Sequence, residues 1–251
     1  MKKFRQWIAD TFGHTASRST IWKVLHRADL SWKKVKKLLG KACPAKREQF
    51  LKDFHALYEL VRSEQVLLIY VDESHFHRDL QTGYTWSAKG KRAWRVSGCP
   101  KLSERINWFG AYDFSRGQCL IWHEGACNGA STQAFLRRIK EWVAETKQRV
   151  VIIWDGAPWH RSRAVQAEAA QLGLEIRFLP GYSPDMNPIE GLWKWMREEV
   201  LHGYCHKSLA ELAQTCQAFI ERINRDPLGI INRLWPKFEL DPEVEKLRIP
   251  K

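Results

Sequence analysis

The chain is short of several things, and each shortage removes a class of protein. Its 251 residues include six cysteines (Cys43, Cys99, Cys119, Cys127, Cys205 and Cys216), with no Cys-x-x-Cys pair among them. That argues against a disulfide framework or a dithiol redox centre, and for reduced thiols in the cytosol. Long apolar runs are missing too. "VLLIYV" and "VVIIW" are the longest, far below the roughly 20 residues that a membrane-spanning helix needs. The opening "MKKFRQWIAD" is basic, but no signal-peptide core follows it. There are no internal repeats and no low-complexity segments. Acidic residues are scarce: 28 Asp and Glu stand against 41 Lys and Arg, a formal net charge of +13.

That positive charge is uneven. Residues 1–53 carry 14 of the Lys and Arg against 4 Asp and Glu. A basic module on a nearly neutral body suits a polyanionic partner, because cations that displace phosphate counterions gain affinity without reading sequence. A basic surface kept for solubility is the plainer alternative. The local pattern favours the first. "KKFRQWIADTFG" spaces Phe4, Trp7, Ile8 and Phe12 as a helix that Gly13 stops. "HTASRSTIWKVLHRADLSW" offers Ser17 or Ser19 as a cap and Ile21, Val24 and Leu25 as one apolar stripe. Arg18, Lys23 and Arg27 fall off that stripe, as expected of a helix-turn-helix that presents cations to DNA. Lys33 and Lys34 extend the basic set into the connector.

A helix of about twenty residues is expected to start near Pro44. From Val66 the periodicity changes. "VLLIYVDES" is near-continuously apolar, as in a strand covered on both faces. "RINWFGAYDF" and "GQCLIWHEG" read as an antiparallel pair joined through "SRG". A helix through "STQAFLRRIKEWVAETK", a strand "VVIIW", a helix through "RAVQAEAAQLG", a strand "LEIRFLP" and a helix from "NPIEGLWKWMREEV" follow. Strands first and then alternation predict an α/β layer fold with a mixed central sheet.

Three acids stand at element ends in this reading: Asp72 and Asp155 at strand carboxyl ends, and Glu190 in the first turn of a helix. Ligands of open α/β sheets gather at such points. Converging carboxylates repel one another unless a cation lies between them, and hard oxygen ligands select Mg²⁺ or Mn²⁺. Two such ions serve phosphodiester cleavage and transfer. Each acid also has a structural reading. Asn187, Pro188 and Glu190 make an N-cap, a first-turn proline and a capping-box glutamate. Asp155 before "GAP" suits a turn, and Asp72 suits a cap.

"VDES", "WDGAPWHRS" and "LPGYSPDMNPIEGLWKWMRE" together resemble the catalytic signatures of DDE transposases of the mariner-type superfamily, in its bacterial insertion-sequence-630 group. Thirty-four residues separate Asp155 from Glu190, as in that superfamily, and "TGYTWSAKGKR" resembles the segment after the first catalytic strand. The resemblance covers roughly residues 20–240. It implies an RNase H-like fold for residues 66–251, after a helix-turn-helix-like segment (1–40) and a basic connector and helix (41–65). It also implies a Mg²⁺ or Mn²⁺ pair on Asp72, Asp155 and Glu190, and His160 and Asn187 in support. The function implied is cleavage and strand transfer of transposon-end DNA, into TA targets, by a homodimer in the bacterial cytoplasm, associated with the nucleoid. Two departures stand out: Gly156 replaces a common Asn, and members usually carry a further helix-turn-helix upstream, so the resemblance implies a truncated, frameshifted or naturally shortened member. An RNase H-like nuclease without strand transfer, or a transposase-derived DNA-binding protein that no longer cuts, are the competing readings.

Other groups invite weaker readings. His75 with His77, and His202 with His206 beside Cys205, are zinc pairs without a complete ligand set. Lys89, Lys91 and Arg92, interleaved with Trp94, suit either a DNA-backbone contact or a solvated loop. Trp86, Trp94 and Trp159 are candidates to stack on an unpaired base. Trp193 belongs to an apolar helix stripe with Ile189, Met196 and Val200.

Overall fold

The structure, a computed structural model, describes residues 2–31, 41–98 and 104–240, apart from the side chains of residues 2 and 3. The chain divides into two compact units, Met1–Leu38 and Leu39–Lys251.

In the first unit, α1 (Lys2–Phe12) ends where Gly13 takes a positive φ of 65°, a conformation glycine adopts without a Cβ clash. α2 (Arg18–Arg27) is capped by Ser17, whose hydroxyl accepts from the Thr20 amide at 3.0 Å. The expected apolar stripes are only partly covered. Ile21 is buried, but Val24, Trp7 and Phe12 are each more than half exposed. Two helices of 11 and 10 residues are too short to enclose both stripes. Arg18, Lys23 and Arg27 are exposed.

The second unit is built on a five-stranded sheet of order β3-β2-β1-β4-β5. Its strands are β1 (Val66–His77), β2 (Arg105–Asp113), β3 (Gln118–His123), β4 (Arg149–Trp154) and β5 (Leu174–Phe178). β2 runs antiparallel to both of its neighbours, β1 and β3, whereas β4 and β5 are parallel additions on the other side of β1. Both sheet faces are covered, which explains the unbroken apolar run of β1. Val66, Leu68 and Tyr70 enter a core shared with α3 (Pro44–Arg62), α6 (Ile189–Val200), α7 (Leu209–Ile223) and α8 (Pro227–Arg233). Leu67, Ile69 and Val71 enter a second core with α4 (Gly129–Trp142) and α5 (Arg163–Gln171). The period-two alternation of a strand thus decides which helix layer each residue meets.

Asp72 corrects an expectation. It lies in the middle of β1, not at its end, because antiparallel pairing with β2 continues to His77 after the parallel pairing with β4 has stopped at Tyr70. Carrying the β1–β4 register two residues on sets Asp72 level with Asp155, just beyond β4. Among the described residues no helix is long and apolar enough to cross a membrane.

Candidate active site

Strand parity aims the side chains. Asp72 follows Val66, Leu68 and Tyr70 toward the α6 layer, and Asp155 follows Val151 and Ile153 the same way. Glu190, in the first turn of α6, meets them there. Asp72, Asp155 and Glu190 line one cavity of about 360 Å³, with Gly156, Ala157, Arg161, the 179–184 loop and Asn187. A larger cavity of about 750 Å³ at the β3 edge is lined by Trp108, Trp122, His123 and Trp142, with Glu141 its one carboxylate. Converging acids mark only the smaller one.

The two aspartates are each held by a partner. Trp193 donates its Nε1 hydrogen to Asp72 Oδ2 at 3.0 Å. The indole reaches that oxygen because Gly110, the cross-strand partner of Asp72, has no side chain: a Cβ there would lie 2.5 Å from the ring. Asp155 Oδ1 lies 2.7 Å from His160 Nδ1, and the other ring nitrogen, Nε2, lies 2.8 Å from Glu73 Oε1. His160 is fully buried against Trp154, their ring centroids 4.1 Å apart. Trp154 donates in turn to Glu73 Oε2 at 3.4 Å. Glu73 occupies the opposite parity from Asp72, so adjacent β1 acids serve opposite sheet faces.

These surroundings set the charges. Burial pushes the Asp72 carboxyl well above its usual range, and repulsion from Glu190 and Glu73 adds to this. Burial likewise raises Glu190, with Arg197 opposing it and Asp155 reinforcing it. Burial disfavours the charged His160 ring, yet hydrogen bonds to Asp155 and Glu73 outweigh it and raise the imidazole to about 9. Burial also opposes ionisation of Asp155, but the His160 hydrogen bond and charge hold that carboxyl below its ordinary range. His160 is therefore an imidazolium at neutral pH, clamped between two carboxylates.

The donor set fits a hard divalent cation: carboxylate oxygens in one cavity, with Asp72 and Glu190 both pushed above their ordinary range, chiefly by burial and further by neighbouring acids. The buried Asn187 Oδ1, beside them, has no hydrogen-bond partner among the described residues. No three His, Cys, Asp or Glu side chains among the described residues stand close enough together to hold an ion in this conformation. Asp155 is turned toward His160 and Asp72 toward Trp193, so a shared ion requires side-chain rotation. The two histidine pairs likewise lack the further ligands of a zinc site among the described residues.

The capping reading of Glu190 is not realised. α6 starts without a side-chain cap, and the Asn187 amide instead donates to the Val71 carbonyl at 3.2 Å, tying the loop to β1. Gly156 leaves space that the Arg161 guanidinium fills, 2.2 Å from where a Cβ would stand. That guanidinium lies over the Phe178 ring at 5.0 Å. Among the other expected contacts, Lys89, Lys91, Arg92, Trp86 and Trp94 are exposed on one loop, and Trp159 is exposed after β4. Lys33 and Lys34 lie outside the described residues.

Sequence reasoning missed Glu73, Arg161, Arg197 and the polar role of Trp193. Arg197 was within reach of it, because Glu190, Trp193 and Arg197 share the i, i+3, i+7 face of α6. Asp185 was passed over as well. It binds Arg47 through both oxygens, at 2.9 and 2.8 Å, and Lys237 at 2.8 Å, pinning the active-site loop to α3.

Residues 67–213 match the family model described as DDE superfamily endonuclease. The chain belongs to that superfamily. Residues 1–54 match a second model, a winged helix-turn-helix. The sequence is 23% identical over 223 residues to the insertion element IS630 uncharacterized 39 kDa protein of Shigella sonnei, covering 88% of this chain and 64% of that one. This DDE chain thus spans less than two thirds of that relative. It is also 26% identical over 106 residues to the uncharacterized protein y4pE/y4sA of Sinorhizobium fredii, covering 42% of this chain and 76% of the other. Its fold matches the Mos1 mariner paired end complex with Mn (TM-score 0.63, 16% identity, 92% of this chain and 76% of that one). The Mos1 strand transfer complex gives 0.64 at 15% identity, with 93% and 77% covered. The architecture is RNase H-like, with a helix-turn-helix segment ahead of it, as the signatures imply.

Proposed function

We propose that this DDE protein is a transposase of the IS630 and mariner type, which cuts transposon-end DNA and joins it to target DNA with Mg²⁺ or Mn²⁺. The observation that carries the reading is the single cavity lined by Asp72, Asp155 and Glu190. Relatives solved with Mn or in a strand transfer complex support it. Asp72, Asp155 and Glu190 are the residues that would hold a pair of ions. Such ions, when bound, activate an attacking hydroxyl and offset charge on the leaving oxygen.

The rest of the site is preparation by the protein. The Glu73–His160 pair holds Asp155 and Trp193 holds Asp72 beside the cavity, from where both carboxylates would turn to share an ion. Arg161, at the cavity wall, supplies a cation toward a phosphodiester drawn into it. Double-stranded DNA is the partner, bound through Arg18, Lys23 and Arg27 of the first unit and through the 89–92 loop. A homodimer acting on TA targets belongs to the same reading, and the paired end complex among the similar structures favours the dimer.

The test uses a duplex built from the DNA that borders the gene, chosen for inverted repeats, incubated with Mg²⁺ or Mn²⁺. The parent chain is expected to nick at the repeat and to give joined products. Asp155→Asn is expected to give neither. Cutting by Asp155→Asn at the parental rate ends the proposal, and cutting without joining reduces it to a nuclease.

A further inference from the structure

Tyr182 stands out at the mouth of the acidic cavity. The residue is 53% exposed, and its backbone has a φ of 59°, the left-handed region that a bulky L-residue rarely enters. Glycine or asparagine would occupy that position with less strain, so folding alone gives no reason for tyrosine. Nor does packing or hydrogen bonding: among the described residues nothing bonds to its hydroxyl, and its one recorded ring contact is Lys41 Nζ, 5.6 Å from the centroid.

The loop that carries it is tied down on both sides. Leu179 is buried and donates its amide to the Trp154 carbonyl at 2.8 Å. Ser183, Met186 and Asn187 are buried, and Asp185 is held by Arg47 and Lys237. A rigid loop thus holds one aromatic ring outward, on the wall of the cavity that also carries Arg161 and the three acids.

We infer that Tyr182 is a stacking platform for a nucleobase next to the phosphodiester that enters the cavity. This rests on the DNA-cutting reading of the site. An exposed, pre-oriented ring binds any base through its π-face at little conformational cost. Lys41, over the same ring, supplies charge for the adjoining phosphate. A base withdrawn from its stack at the cut is the ligand class that combines a flat apolar face with a neighbouring anion.

The test compares the full-length parent with Tyr182→Asn and Tyr182→Phe. The probe is a nicked duplex of the flanking inverted repeat with 2-aminopurine beside the nick. Asparagine tolerates the left-handed backbone and lacks the ring, so Tyr182→Asn should melt at or above the parental temperature. It should nevertheless bind and cut on the order of 10- to 100-fold less well, the usual worth of one stacked base, and lose the quenching of 2-aminopurine. Tyr182→Phe should restore both readouts. Three results overturn the inference: an Asn variant that quenches and cuts like the parent, a Phe variant as impaired as Asn, or a parent that leaves the emission unchanged. Failure of the transposase reading is distinct, because a parent that binds without cutting still reports stacking through fluorescence.

Discussion

At the scale of single residues, the site is a set of charges that the fold restrains at a cost to stability. Ionised Asp72 opposes folding at neutral pH, since its carboxyl is raised by burial and by repulsion from Glu190 and Glu73. Asp72→Asn removes that charge and leaves an oxygen for Trp193. In metal-free buffer the variant should gain about 1 kcal/mol, read from urea unfolding, while its cutting falls to background. His160 works in the other direction. Its folded value, about 9, exceeds the ordinary 6.5, so its stabilising contribution is complete below the lower value and disappears as pH rises through the upper. The parent's stability advantage over His160→Gln should therefore shrink between those limits, and an advantage that grows with pH would contradict the clamp.

At the scale of elements, β1 does two jobs through its alternation. Asp72 faces α6 and Glu73 faces the His160 layer, so one strand supplies a candidate ligand and the brace of another. The brace should matter for activity: Glu73→Gln is expected to slow cutting roughly 10- to 100-fold, as loss of outer-shell support for a ligand does. β2 contributes an absence. Gly110→Ala would force Trp193 away from Asp72, costing about 1–3 kcal/mol by overpacking and lowering cutting as well. Thermal melting and single-turnover rates measured on the same variant check both parts. These couplings were not legible in the sequence. The periodicity announced each strand and helix, and the spacing of "VDES", "WDGAPWHRS" and "SPDMNPIEGLW" announced the acids. Asp72 was misplaced at a strand end because pairing with β2, which prolongs β1, is a long-range event with no local signature. The Asn187–Glu190 capping box was legible but not used, because the Val71 carbonyl offers Asn187 a tertiary partner.

For the whole molecule, the division of labour follows charge. Most of the positive excess lies in residues 1–53, while the acids are grouped in the second unit. DNA affinity should fall with salt at a log–log slope of about −0.9 per phosphate contacted. Replacing Arg18, Lys23 and Arg27 by alanine should reduce that slope by up to about 0.9 for each lost contact; filter binding at several salt concentrations measures it. An unchanged slope would remove α2 from the DNA interface.

The sequence by itself determined the element types, the two-sided burial of β1 and the basic N-terminal stretch, because hydrophobic period, formal charge and turn chemistry are local properties; it also named the three acids to look for. Only the tertiary structure decided that Glu73 and Asp155 share one imidazolium, that a missing side chain at Gly110 admits an indole to Asp72, and that Tyr182 stands outward on a strained backbone. Those facts depend on strand register and on helix packing across the sheet, which bring together residues as much as 121 positions apart.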